Sequence, residues 1–167
     1  MFSDQLQVLA REVVEGCRRR GWMVATAESC TGGLIAACLT EIAGSSVAVD
    51  RGFVTYHNDA KRDVLGVGQS LLDSVGAVSE EVARAMAEGA LKASQASVAV
   101  SCTGVAGPGG GSPDKPVGLV HMAVARHGVP TRHQRMTYGD IGRDAVREKT
   151  VRDALAMVID AIGEDEA

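Results

Sequence analysis

One stretch limits the folds open to this chain more than any other. An apolar run, Trp22 to Ala27, stops at Glu28-Ser29-Cys30-Thr31, and a second, Leu34 to Ile42, starts after Gly32-Gly33. The first run reads as a strand and the second has helical spacing. Open α/β sheets bind ligands at the carboxyl ends of their strands, so a strand that turns into a helix puts this turn where a site is expected. The helix aims unpaired N–H groups and a partial positive charge back at Ser29. Gly32 and Gly33 let a substrate oxygen approach that backbone closely.

The remaining elements follow from periodicity and punctuation. Ser3-Asp4 caps a helix to about Arg20, with Leu6, Leu9, Val13 and Cys17 on one face and Gly21 as its stop. Val47 to Tyr56 reads as a second strand, ending at Tyr56-His57-Asn58-Asp59-Ala60-Lys61, where Asn58 can cap a short helix carrying Lys61. Ser79 caps an amphipathic helix, Glu80 to Ser94, with Val82, Ala83, Met86, Ala90 and Leu91 inward. Val98 to Cys102 is continuously apolar, as in a strand covered on both faces. Val117–Arg126 and Thr131–Tyr138 form an antiparallel pair turning at His127-Gly128, the second polar enough for a sheet edge. A last helix, Arg143 to Ile162, turns Val146, Thr150, Leu155, Val158 and Ile162 inward, and 163–167 reads as a frayed tail. This order predicts a single three-layer α/β/α sandwich spanning 1–167, with a mostly parallel mixed sheet.

Composition narrows the function classes. A formal charge of −4 argues against a nucleic-acid footprint. No apolar run approaches a membrane span, and no leader pattern opens the chain, so a cytoplasmic protein is expected. Cys17, Cys30, Cys38 and Cys102 lack metal or disulfide spacing, and Cys17 and Cys38 read as small buried hydrophobes. His57, His121, His127 and His133 show no metal-ligand spacing, and neither a metal nor a cofactor is expected.

Several residues carry chemistry beside a plainer alternative. Ser29 is either a helix cap or a nucleophile, and Thr31 can cap in its place. Lys61 is either a solvated side chain or, if burial destabilises its ammonium, the base for Ser29. Cys30 is a rival nucleophile, as a thiol at a helix N-terminus. The loop Thr103 to Pro116 is neither a Walker A loop nor a dinucleotide fingerprint. It is either a flexible surface loop or a backbone cradle for an anion, with Thr103 and Ser112 as extra donors. Arg143 and Arg147, one turn apart, form a solvated face or grip a phosphate.

Ala27-Glu28-Ser29-Cys30-Thr31-Gly32-Gly33, Tyr56 to Lys61 with Leu65-Gly66-Val67, Gly76-Ala77-Val78-Ser79, and Thr103 to Gly111 with Lys115-Pro116-Val117-Gly118 resemble the CinA C-terminal domain family of nicotinamide-nucleotide amidases. The resemblance covers nearly the whole chain in its stand-alone form. It implies deamidation of nicotinamide mononucleotide to the nicotinate form and ammonia, within pyridine-nucleotide recycling. It also implies a three-layer sandwich fold, and a homodimer is the expected assembly. Carried residue by residue, it makes Ser29 the nucleophile and Lys61 the base, with Tyr56 as a possible proton relay. It implies that Glu28, Cys30, Thr31, Gly32, Gly33 and Asn58 line the substrate, with N–H groups near Cys30 to Gly33 holding the oxyanion. Thr103, Gly104, Gly107, Gly109, Gly110 and Gly111, with Arg143 or Arg147, are expected toward the phosphate. The family commonly reads Gly-Asp-Arg before its last helix. Here Ile141-Gly142 separates Asp140 from Arg143, so the family register fits Arg147 better than Arg143 without excluding either. A non-catalytic nucleotide-binding or interaction module, and a cysteine amidohydrolase using Cys30, remain the alternatives.

Overall fold

The structure, a computed structural model, describes residues 1–164. Five strands, β1 (Val24–Glu28), β2 (Val49–Val54), β3 (Val98–Gly104), β4 (Leu119–Arg126) and β5 (Val129–Thr137), form one sheet in the order β2-β1-β3-β4-β5. β1 runs parallel to β2 and β3, while β4 is antiparallel to β3 and β5. The mixed sheet, with one reversed strand and polar β5 at an edge, matches the expected architecture.

Among the described residues six α-helices cover the two faces: α1 (Asp4–Arg20), α2 (Leu34–Thr40), α3 (Asn58–Leu65), α4 (Gln69–Val75), α5 (Glu80–Lys92) and α6 (Arg143–Gly163). Strand alternation sorts the core by size. Val24, Val98, Val100, Val120, Met122 and Val124 pack toward α1, α2 and α6. Ala25, Ala27, Ala99, Ala123 and Ala125 face α3, α4 and α5 on the other side. The alanine face lets α5 lie close to the sheet, which explains how a core with only 3% aromatics fills its volume.

The layer outside the sheet is equally tight. A Cβ added at Gly89 in α5 would lie 2.0 Å from the Leu65 carbonyl oxygen at the end of α3. Gly89→Ala is therefore expected to destabilise the protein by about 1–3 kcal/mol through overpacking. Denaturant unfolding that returned wild-type stability would contradict this contact.

Three local expectations need correction. α4 was not anticipated, because its seven residues between Gly68 and Gly76 are too short to show a helical period. Asn58 is the first residue of α3, and His57 is its cap: His57 Nδ1 accepts the Asp59 N–H at 3.3 Å. Thr31 does not cap α2, whose N-cap position is Gly33 at φ 102° with no side-chain capping bond of its own. At the other end, α6 continues through Gly163, and Glu164 pairs with Arg126 and Arg132. Residues 165–167 of the expected frayed tail lie outside the described residues.

Candidate active site

Chain topology assembles the site. β1 feeds β2 on one side through α2 and is flanked by β3 on the other, so the strand order reverses at β1. The carboxyl end of such a strand opens into a crevice. β2 and β3 are parallel to β1, which delivers the Ser29 turn, the Tyr56–Lys61 segment and the glycine loop to the same sheet edge. β5, running the same way as β3, delivers the start of α6 there as well.

Alternation along β1 divides the work between neighbours. Glu28 turns toward α2, while Ser29, like Ala25 and Ala27, turns toward α3. There Lys61 Nζ lies 3.0 Å from Ser29 Oγ, with the Thr55 and Tyr56 carbonyls at 2.9 and 3.3 Å. Lys61 is only 1% exposed and Ser29 8%. Burial lowers the lysine pKa from its ordinary 10.5, opposed by the nearby Cys30 and Cys102 thiols. Nζ donates to all three, the full set of an ammonium; loss of one proton would leave two N–H groups for the carbonyls and turn a lone pair toward the serine hydroxyl. The solvated alternative for Lys61 is thus overturned by its enclosure.

Glu28, expected as a substrate contact, is wholly buried and forms the floor beneath the turn. Its carboxylate accepts from the Thr26 hydroxyl at 3.0 Å and the Thr31 hydroxyl at 2.6 Å. It also accepts the N–H groups of Gly33, Ile35 and Ala36 at 3.1, 3.0 and 2.8 Å. A carboxylate at a helix N-terminus takes the role of the missing cap. Ser29 Oγ is thereby spared for Lys61.

The same bonds narrow the expected oxyanion donors. Gly33 N–H is taken by Glu28 and Gly32 N–H by the Ser29 carbonyl at 3.1 Å. Among the described residues, only the N–H groups of Cys30 and Thr31 in this turn lack an oxygen acceptor, that of Cys30 facing its own thiol. Cys30 itself, 5% exposed, packs with the α1, α2 and α6 core. The adjoining Cys102 thiol holds the Cys30 pKa below its ordinary 9.0, yet the amine contact belongs to Ser29.

The other expected residues divide. Tyr56 is exposed, and its hydroxyl accepts from Arg143 Nη2 at 3.2 Å rather than bonding Ser29. Arg143 Nη1 also donates to the Gly107 carbonyl at 2.9 Å, bridging the Tyr56 segment to the glycine loop. Arg147 instead donates to the Thr31 carbonyl at 3.1 Å, on the far side of the turn from that loop. Thr103 is buried, and its hydroxyl donates to the Ala77 carbonyl at 2.8 Å, so the expected free donor is consumed. Ser112 Oγ accepts the Lys115 N–H at 3.1 Å within the loop. Asn58 is exposed, with no side-chain hydrogen bond among the described residues.

The glycine loop is fixed at its ends and open in the middle. Lys115 Nζ donates to the Val75 carbonyl at 2.5 Å, and Gly104 leaves no room for a Cβ, which would lie 2.7 Å from the Leu119 carbonyl oxygen. Gly109, Gly110 and Gly111 are exposed, and their N–H groups have no acceptor among the described residues. Free N–H groups in such a loop suit an anion. Among the described residues no three His, Cys, Asp or Glu side chains converge as a metal-binding group, and no helix is long and apolar enough to cross a membrane. His121 and His133 contact one another at 2.9 Å, and burial pushes the His121 pKa down to about 4.

The chain is 50% identical over 148 residues to the nicotinamide-nucleotide amidohydrolase PncC of Enterobacter agglomerans, covering 88% of this chain and 89% of that one. It is 48% identical over 156 residues to the PncC of Escherichia coli K12, covering 93% of each. A CinA-like protein of Anaeromyxobacter dehalogenans is 47% identical over 158 residues, 95% of this chain, which spans only 38% of that longer relative. Among solved structures, the competence/damage inducible protein CihA of Agrobacterium tumefaciens superposes with a TM-score of 0.95 at 57% identity, covering 98% of each chain. The profile described as CinA C-terminal domain matches residues 6–162, and with it the turn, the lysine helix, the glycine loop and the arginines of α6. By that match and those identities, the chain belongs to the CinA C-terminal domain family.

Proposed function

We propose that this chain hydrolyses the carboxamide of nicotinamide mononucleotide, releasing ammonia and nicotinate mononucleotide, as a step in pyridine-nucleotide recycling. The observation that carries the reading is the buried amine 3.0 Å from the serine hydroxyl. The names of the Enterobacter and Escherichia relatives supply the substrate.

In this mechanism neutral Lys61 takes the Ser29 proton as Oγ attacks the carboxamide carbon. The C=O pair moves onto oxygen, and the N–H groups of Cys30 and Thr31 hold that oxyanion; one such donor is typically worth about 3–4 kcal/mol. The tetrahedral intermediate collapses as Lys61 returns the proton to the departing nitrogen, which leaves as ammonia. Water then attacks the Ser29 ester with Lys61 again as base, and the acid product leaves with Ser29 restored. The free N–H groups of Gly109 to Gly111 and the Arg143 guanidinium hold the phosphate, with Tyr56 orienting Arg143. This assigns the phosphate to Arg143 rather than Arg147.

An ammonia-release assay tests the reading. Turnover is expected on nicotinamide mononucleotide and far less on free nicotinamide, which lacks the phosphate. Binding of the nucleotide with no ammonia released would favour the non-catalytic module. Equal turnover of the free base would remove the phosphate grip from the account.

The pH dependence has a defined sign. The reactive lysine is the unprotonated form, and burial lowers its pKa. kcat/KM is therefore expected to rise with pH and level off on a limb below 10.5, the ordinary lysine value. A limb at or above that value would show that Lys61 is not the depressed base.

A further inference from the structure

A cavity lies behind the nucleophile turn, on the opposite face of the sheet from Lys61. It holds about 300 Å³ between α1, α2 and α6, at the small end of ligand pockets. Phe2, Leu6, Leu34 and Val151 wall it, the exposed Met1 and Ser3 lie at its rim, and Asp144 and Glu148 join Arg147 in its lining. Arg147 is the cation of this lining, and its bonding is incomplete. One Nη2 donor reaches the Thr31 carbonyl, while its Nε–H is closed off without any acceptor, so the outer Nη groups are the ones that can meet a ligand. No carboxylate ion-pairs with it among the described residues, although Asp144 and Glu148 are close in sequence. A partly buried guanidinium with an orphaned donor and no direct ion pair is steadied by an anion that meets its outer face.

We propose that this cavity binds a small carboxylate with a compact apolar body, seated on Arg147 and coupled through it to the Ser29 turn. A carboxylate matches the guanidinium fork with two parallel hydrogen bonds, and the apolar walls accept a ring or a branched chain. A dianion such as phosphate is disfavoured, because two acidic side chains and hydrocarbon walls would surround it. The coupling is short: a ligand that turns the guanidinium alters its hold on the Thr31 carbonyl, beside the two free N–H groups of the turn.

Benzoate is a suitable probe, followed by the NMR signals of arginine Nε–H and backbone amides, a readout independent of turnover and of the amidase reading. Benzoate is expected to shift Arg147 Nε–H and the Thr31 and Gly32 amides saturably, while phosphate at equal ionic strength does not. Arg147→Gln should weaken benzoate by at least about tenfold. Leu34→Trp, which narrows the cavity but keeps the guanidinium, should weaken it comparably. The proposal is overturned by no saturable shift, by wild-type binding in either variant, or by phosphate binding as tightly as benzoate.

Discussion

Replacing Lys61 with methionine is expected to lower kcat on nicotinamide mononucleotide by about 10³- to 10⁴-fold, the scale on which a base and its nucleophile act as a unit. Methionine keeps an unbranched chain in a site that is 1% exposed, so the loss would not come from a collapsed pocket. Stability should change little. The Thr55 and Tyr56 carbonyls lose a donor, while the cost of burying an amine disappears. Lys61→Arg should be as inactive, because a guanidinium cannot shed its proton. Steady-state kinetics and thermal unfolding on the same preparations check both halves. Retention of more than a tenth of the wild-type kcat in Lys61→Met would remove the amine from the chemistry.

The second large effect is expected at Glu28, and it should appear in stability before activity. Glu28→Ala strips the partner from two hydroxyls and three helix N–H groups in a site closed to water. Orphaned buried donors cost about 1–3 kcal/mol each, and some of these will find new acceptors as α2 frays. A net loss of about 3–5 kcal/mol follows, which is a large part of the total stability of an ordinary domain. The melting temperature should fall by roughly 10 °C or more. Glu28→Gln tests the charge separately: it keeps the volume but turns one acceptor into a donor facing donors. Were Glu28 a substrate contact alone, both variants would melt like the wild type and differ only in KM.

Much of this arrangement was legible in the sequence because it rests on local rules. The Trp22–Ala27 run, the polar turn and the helix after two glycines place Ser29 at a strand end. The Tyr56–Lys61 segment after the neighbouring strand then brings an amine to the same edge. The edge character of β5 followed from its polar residues. Glu28 was legible only as a member of a motif, because three of its partners are backbone N–H groups five, seven and eight residues ahead, which carry no side-chain signature. His57 and Asn58 are neighbours at the same helix start, and Asn is the commoner cap by composition, so the one-residue register was hidden. Arg143 and Arg147 look alike on a helix face. One turn of about 5.4 Å nevertheless separates a guanidinium that reaches beyond the sheet edge from one held behind the Ser29 turn. The signal that separates them is the three-dimensional position of the α6 start, which is set by the path from β5.

The central claim is that the hydroxyl at position 29, and not the neighbouring thiol, attacks the substrate. Ammonia release from nicotinamide mononucleotide by folded Ser29→Ala and Cys30→Ala proteins tests it most directly. The account predicts that Ser29→Ala loses turnover while Cys30→Ala keeps most of it; near-normal turnover by Ser29→Ala together with none by Cys30→Ala would contradict it.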